Sequence, residues 1–108
     1  GMNNLNSVLL EGQLDGEPVQ FYGHEKECWF VVVVRRTPKD GPEEQFPVQV
    51  KVVGHLGDVC NEYLHDGRGV RVISRLAHDG RHLYLHAEHV EFRPDAAKKP
   101  AEAKEVEP

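Results

Sequence analysis

Hydrophobic residues in this chain recur at strand spacing, interrupted once by helical spacing near the middle. Ser7 to Leu14 (SVLLEGQL) is β-rich and runs into the turn-like pair Asp15-Gly16, and Pro18 to Tyr22 (PVQFY) reads as a short extended continuation. Cys28 to Arg36 (CWFVVVVRR), with four consecutive valines, is the strongest strand in the sequence. If Phe30, Val32 and Val34 point inward, alternation turns Trp29 outward. Thr37 to Glu44 (TPKDGPEE) holds two prolines and a glycine and reads as a loop. Phe46 to Val53 (FPVQVKVV) alternates again, with Val48, Val50 and Val52 on one face and Pro47, Gln49 and Lys51 on the other. Leu56, Val59, Cys60, Tyr63 and Leu64 then follow helical spacing, and Gly67 suits the position just past a helix end, which predicts one helix of about 10 residues.

Gly69 to Ala77 and His82 to Phe92 form a hairpin centred on Asp79-Gly80, a strong two-residue turn signal. That centring sets Leu76 against Leu83, Arg75 against Tyr84, Ser74 against Leu85, Ile73 against His86 and Val72 against Ala87. One face is then small and apolar, and the other carries Arg75, Tyr84, Ile73 and His86, with Arg71 near Glu88. Three strands, one helix and a two-strand hairpin describe an all-β protein: a five-stranded OB-fold Greek-key barrel with its helix between strands 3 and 4. An α+β sandwich is the competing layout, and the position of the helix favours the barrel. Residues 1–93 make one domain. From Pro94 the composition shifts to Asp, Ala, Lys, Glu and Pro, so 94–108 reads as a disordered tail with too little apolar surface to fold.

With 108 residues the chain has room for one core, and 39% hydrophobic and 29% charged residues are ordinary for a globular domain. The longest apolar run, Cys28 to Val34, is strand-sized and too short for a membrane helix. The first residues carry no basic or apolar signal region, which makes a cytoplasmic location the expectation. Cys28 and Cys60 offer neither a disulfide framework nor metal-ligand spacing and read as free thiols.

The formal charge of −5 argues at first against a nucleic-acid partner. Its distribution changes that picture. Segments 29–39 (Arg35, Arg36, Lys39), 45–57 (Lys51) and 67–78 (Arg68, Arg71, Arg75) contain no acid, so a basic face forms if the fold brings them together.

The motifs Asn6-Ser7-Val8-Leu9-Leu10-Glu11-Gly12, Gly54-His55-Leu56-Gly57 ahead of Glu62-Tyr63-Leu64, Gly67-Arg68-Gly69-Val70-Arg71-Val72 and Ala87-Glu88-His89-Val90-Glu91-Phe92-Arg93-Pro94 occur in this order across residues 5–94. In these the chain resembles the bacterial single-stranded DNA-binding proteins. Val53-Gly54-His55 and Leu85-His86-Ala87-Glu88 also fit a relative, the dimeric primosomal replication protein N. The resemblance implies an OB fold that binds single-stranded DNA without sequence specificity and protects it during replication, recombination and repair. It also implies a homotetramer or homodimer, associated with the nucleoid, with replication and repair proteins as further partners. The alternative it leaves open is an OB interaction module with weak DNA binding.

Single-strand binding needs cations along phosphates and π-faces for bases. The candidates are Arg35, Arg36, Lys51, Arg71 and Arg75 for phosphate, Trp29, Phe46 and Tyr84 for bases, and Gln49, His82 and His86 as polar contacts on the same strands. Each has a plainer reading: a solvated strand face for the cations, a buried or subunit-interface residue for Trp29, a surface cation–π pair for Tyr84 opposite Arg75. Against the resembled family, the stacking aromatics of the third strand are replaced by Pro47 and Val53, and the Arg-x-Trp after the fourth strand is missing. A weak, shortened footprint is the expectation. The chain ends Lys104-Glu105-Val106-Glu107-Pro108, without the acidic run closed by Pro-Phe through which that family recruits enzymes.

Seven histidines invite a metal reading, yet His82 and His86 on one strand stand about 13 Å apart. No metal and no cofactor is expected. Nor is there a nucleophile motif, a phosphate-cradling glycine loop or a paired-carboxylate arrangement, so the chain is not expected to be an enzyme.

Overall fold

The computed structural model describes residues 1–94; the sequence reading of a disordered tail falls on residues almost all outside that range. Six strands and one helix follow in the order β1 (Val8–Leu14), β2 (Val19–Tyr22), β3 (Lys26–Arg36), β4 (Glu44–Val53), α1 (Gly54–Tyr63), β5 (Gly69–His78) and β6 (Leu83–Arg93). The sheet runs β1-β5-β6-β4-β3-β2, and a further antiparallel pairing of β1 with β3 closes five of the strands into a barrel. Residues 19–22 pair only with β3, as a separate edge strand, where the sequence reads an extension of β1. Counting β2, the helix lies between β4 and β5. The one parallel contact, β4 with β6, is the crossover of the Greek key.

Closure rests on β1, which pairs with β5 through Val8–Gln13 and with β3 at Gln13 and Leu14. A strand shared between two neighbours must approach both closely, and Gly12 supplies the room. A Cβ there would lie 2.7 Å from Val32 Cγ1 and clash with the Val33 carbonyl oxygen.

Strand alternation fills the barrel. Cys28, Phe30 and Val32 of β3, Val50 and Val52 of β4, Val70 and Val72 of β5, and Leu85, Ala87 and Val90 of β6 are buried together. Ser74 is the one buried polar residue among those described, and its hydroxyl donates to the Val8 carbonyl at 3.0 Å. Helix α1 lacks a side-chain N-cap and covers one end of the barrel through Gly57, Cys60 and the following Leu64. Tyr63, on the predicted helical stripe, is exposed instead.

The β5–β6 hairpin departs from the predicted register. Its loop spans Asp79–His82 rather than two residues, because Asp79 Oδ1 accepts from the Arg81 and His82 amides at 2.9 and 2.8 Å. Pairing therefore begins at His78–Leu83 and continues Ala77–Tyr84, Leu76–Leu85, Arg75–His86 and Ser74–Ala87. This two-residue shift changes partners and preserves faces. A bulge between Ile73 and Ser74 then reverses the parity of β6, so that Val90 joins Leu85 and Ala87 inside. Past it, Val72 pairs with Val90 and Ile73 with His89, and Arg71 stands opposite Glu91 rather than Glu88. Leu76 and Leu83, assigned inward by the sequence, lie beyond the end of the core and are exposed.

Candidate nucleic-acid interface

The register aligns one residue from each of five strands in a row across the outside of the barrel. Val19 (β2) pairs with Trp29 (β3), Trp29 with Lys51 (β4), Lys51 with His86 (β6), and His86 with Arg75 (β5). Trp29, Lys51, His86 and Arg75 occupy positions opposite in parity to the neighbouring core residues of their strands, whereas β2 contributes no core residue. The acid-free segments thus meet here: Lys51 and Arg75, far apart in sequence, flank His86.

Beside this row Tyr84 meets Trp29, with ring centroids 5.0 Å apart and planes tilted by 58°. Lys51 Nζ lies 5.9 Å from the Trp29 ring centre and 5.8 Å from that of Tyr84, a cation between two π-faces. Glu27 completes the cluster. Its carboxylate accepts from Trp29 Nε1 at 3.0 Å and lies 3.5 Å from Lys51 Nζ. The His86 pKa is pushed below its usual value, first by partial burial and then by the positive charges of Arg75 and Lys51.

A groove of about 480 Å³ borders this cluster, lined by Trp29, Gln49, Tyr84 and His82 with an apolar lip of Leu76 and Leu83. On the other side of Trp29 a trough of about 330 Å³ runs toward β2, where Val19 and Phe21 line it; Gln49 and Trp29 border both. Trp29, Gln49, Lys51, Arg75, His82, Tyr84 and His86 therefore come together on one surface.

Four other sequence-predicted residues lie apart from that surface. Arg71 shares the outer face of β5 but sits four residues from Arg75, about 13 Å along the strand. Its guanidinium is held by Glu11 (Nε to Oε2, 2.7 Å) and lies 3.8 Å from Glu91. Arg35 is six residues from Trp29 along β3, about 20 Å, and donates to Gln13 and Gln45. Arg36 pairs with Glu44 at 3.4 Å. Phe46, opposite Val34, has the parity of the core residues and is 50% exposed beyond the core, so it belongs to the other face of the β3–β4 ribbon from Trp29. The sequence reading missed Glu27, Val19 and Phe21. For Glu27 the signal was present, since a residue two positions before an outward Trp29 shares its face.

Among the described residues no three His, Cys, Asp or Glu side chains converge as metal ligands. Cys28 and Cys60 are buried free thiols. Burial pushes the first up to about 11 and the second, with the added effect of Cys28, to about 12.

This closed barrel with its single helix before the final hairpin is an OB fold. No protein-family model matches the sequence, and no curated protein matches it. Solved structures do share the fold. One is the Plasmodium falciparum single-stranded DNA-binding protein in complex with single-stranded DNA, at a TM-score of 0.74 and 18% identity, covering 85% of this chain and 97% of that one. Another is the second single-stranded DNA-binding protein of Mycobacterium smegmatis, at a TM-score of 0.68 and 19% identity, covering 81% of this chain and 87% of that one.

Proposed function

We propose that this protein binds single-stranded DNA without sequence specificity, across the outer face of β3, β4, β6 and β5. The observation that carries this reading is the cluster of Trp29, Tyr84 and Lys51 in line with His86 and Arg75 on an OB barrel. Trp29 and Tyr84 offer faces on which any base stacks, and Lys51 and Arg75 offer charge to the connecting phosphates. Gln49 and His82 supply polar contacts along the groove, and His86 one within the row between Lys51 and Arg75. Arg71, Arg35, Arg36 and Phe46 stand outside this path. The fold shared with the two single-stranded DNA-binding proteins supports the same reading.

In the cell such binding protects exposed single strands during replication, recombination and repair, in the cytoplasm and on the nucleoid. No helix among the described residues is long and apolar enough to cross a membrane. Assembly as a homotetramer or homodimer is part of the proposal. The exposed cross-strand pair Leu9–Ile73 supports it as apolar surface open to a second copy.

A second reading, an OB interaction module like primosomal replication protein N, is favoured by Pro47 and Val53, which leave two outward positions of β4 without stacking aromatics. Labelled oligo-dT separates the two. The single-strand reading expects Tyr84→Ala to lose about 1–3 kcal/mol of binding, the usual worth of one stacked base. Undetectable binding by the parent protein at low salt overturns it in favour of the module. Parallel titration with oligo-U shows whether RNA competes.

A further inference from the structure

Glu27 touches two members of the platform at once. Its Oε1 accepts the indole N–H of Trp29 at 3.0 Å, and its Oε2 lies 3.5 Å from Lys51 Nζ. The Lys51 and Glu27 side chains are only 20% and 24% exposed, whereas those of Lys26–Asp58 and Arg36–Glu44 are 43% exposed or more. A pair so withdrawn from water is less screened than an ordinary surface pair.

Two consequences follow for a nucleic-acid strand. The indole is anchored at its edge, which fixes the tilt of the ring beside Tyr84. The ammonium that stands between the two rings is already neutralised by a carboxylate. A phosphate approaching Lys51 must displace Glu27 and lie near its negative charge.

We propose that Glu27 is the positioning and affinity-setting residue of the single-strand site: it orients Trp29 and competes with the DNA phosphate for Lys51. This rests on the single-strand reading above. The contact holds affinity below what the aromatic pair and the cations can deliver, and so favours release and re-binding of the strand.

The experiment is anisotropy of labelled oligo-dT over a series of salt concentrations, with Glu27→Gln, Glu27→Asp, Lys51→Ala, the Glu27→Gln/Lys51→Ala double variant and Glu62→Gln. The glutamine amide oxygen still accepts from the indole while the charge is gone. Glu27→Gln is expected to bind about three- to tenfold tighter at low salt. Its slope of log affinity against log salt should steepen by about 0.7, one additional phosphate contact. Glu27→Asp keeps the charge but is one methylene short of the indole N–H, so the emission of Trp29 is expected to shift while the salt slope steepens less than in Glu27→Gln. Lys51→Ala binds more weakly, and adding Glu27→Gln to it relieves the repulsion of the unpaired carboxylate but does not add the phosphate contact, so the salt slope of the double variant stays below that of Glu27→Gln alone. Glu62→Gln, which removes an equal charge on α1 away from the platform, stays near the parent.

If Lys51→Ala weakens binding but Glu27→Gln does not tighten it, the role of Glu27 is overturned and the single-strand reading stands. The role of Glu27 is equally overturned if Glu62→Gln gains as much as Glu27→Gln, because net charge alone then explains the change. If neither Lys51→Ala nor Glu27→Gln alters affinity, the inference and the placement of the site fall together.

Discussion

Arg71 and Arg75 are equivalent as letters, each a cation on the outward face of β5, yet their surroundings give them different tasks. Arg71 spends its guanidinium on Glu11 and Glu91, whereas Arg75, four residues on, stands in line with His86, Lys51 and Trp29. Arg75→Ala is therefore expected to weaken oligo-dT binding several-fold, and Arg71→Ala to change it little while loosening the β1–β5 edge; anisotropy titrations of the two variants check this. If Arg71→Ala is the costlier of the two, the platform is misplaced. His86 gives a pH signature. Burial, Arg75 and Lys51 hold its pKa down despite the opposing charges of Glu88 and Glu25, so the folded state favours neutral imidazole. As pH falls through the ordinary histidine value, the unfolded chain takes up the proton first, and this group's contribution to stability is lost below that value. A phosphate beside the ring would favour the charged form. Binding should then tighten as pH falls through and below the ordinary histidine value, and His86→Gln should flatten that part of the profile. Neither carboxylate engagement nor a suppressed histidine is visible in one-dimensional sequence, because both arise from cross-strand neighbours.

At the scale of elements, alternation was enough to place every buried residue of β3 and β4 on the correct face, and it turned Trp29 outward as found. The β5–β6 hairpin shows where such reading stops. Its faces were legible from Ser74, Leu85 and Ala87, but its partners were not, since the Asp79 side chain builds a four-residue loop where Asp79-Gly80 signals a two-residue turn. The consequence reaches the site: Tyr84 stands opposite Ala77 rather than Arg75, and packs on Trp29 instead. The bulge between Ile73 and Ser74 was equally hidden, although the spacing Leu85, Ala87, Val90 breaks strict alternation and records it. The helix was legible as an element, while its packing depends on a close approach: a Cβ on Gly57 would lie 2.7 Å from the Val52 carbonyl oxygen. Gly57→Ala is expected to destabilise the fold by about 1–3 kcal/mol, read as a lowered midpoint in chemical denaturation, with oligo-dT affinity kept below the transition.

For the whole molecule, charge is segregated only in part. The barrel brings Lys51 and Arg75, from acid-free stretches of β4 and β5, to one surface where Glu27 accompanies them, and leaves Arg71, from the same stretch as Arg75, beside Glu11 and Glu91. Closure also seals both thiols inside, where burial keeps them protonated. A maleimide reagent should label neither Cys28 nor Cys60 until the barrel unfolds, and rapid labelling in native buffer would contradict the closed core. The fold was legible in the sequence because strand periodicity and the position of one helix constrain an OB barrel. The site was legible only in outline, because resemblance directed attention to Pro47 and Val53, where aromatics are missing, and the observed pair Trp29–Tyr84 depends on a register that the sequence does not display. The most direct test of the central claim is the fluorescence of Trp29, the only tryptophan in the chain, titrated with oligo-dT at low and at moderate salt. Stacking on this platform predicts saturable quenching at low salt and affinity that falls steeply as salt rises; unchanged fluorescence at low salt with excess oligo-dT would contradict it.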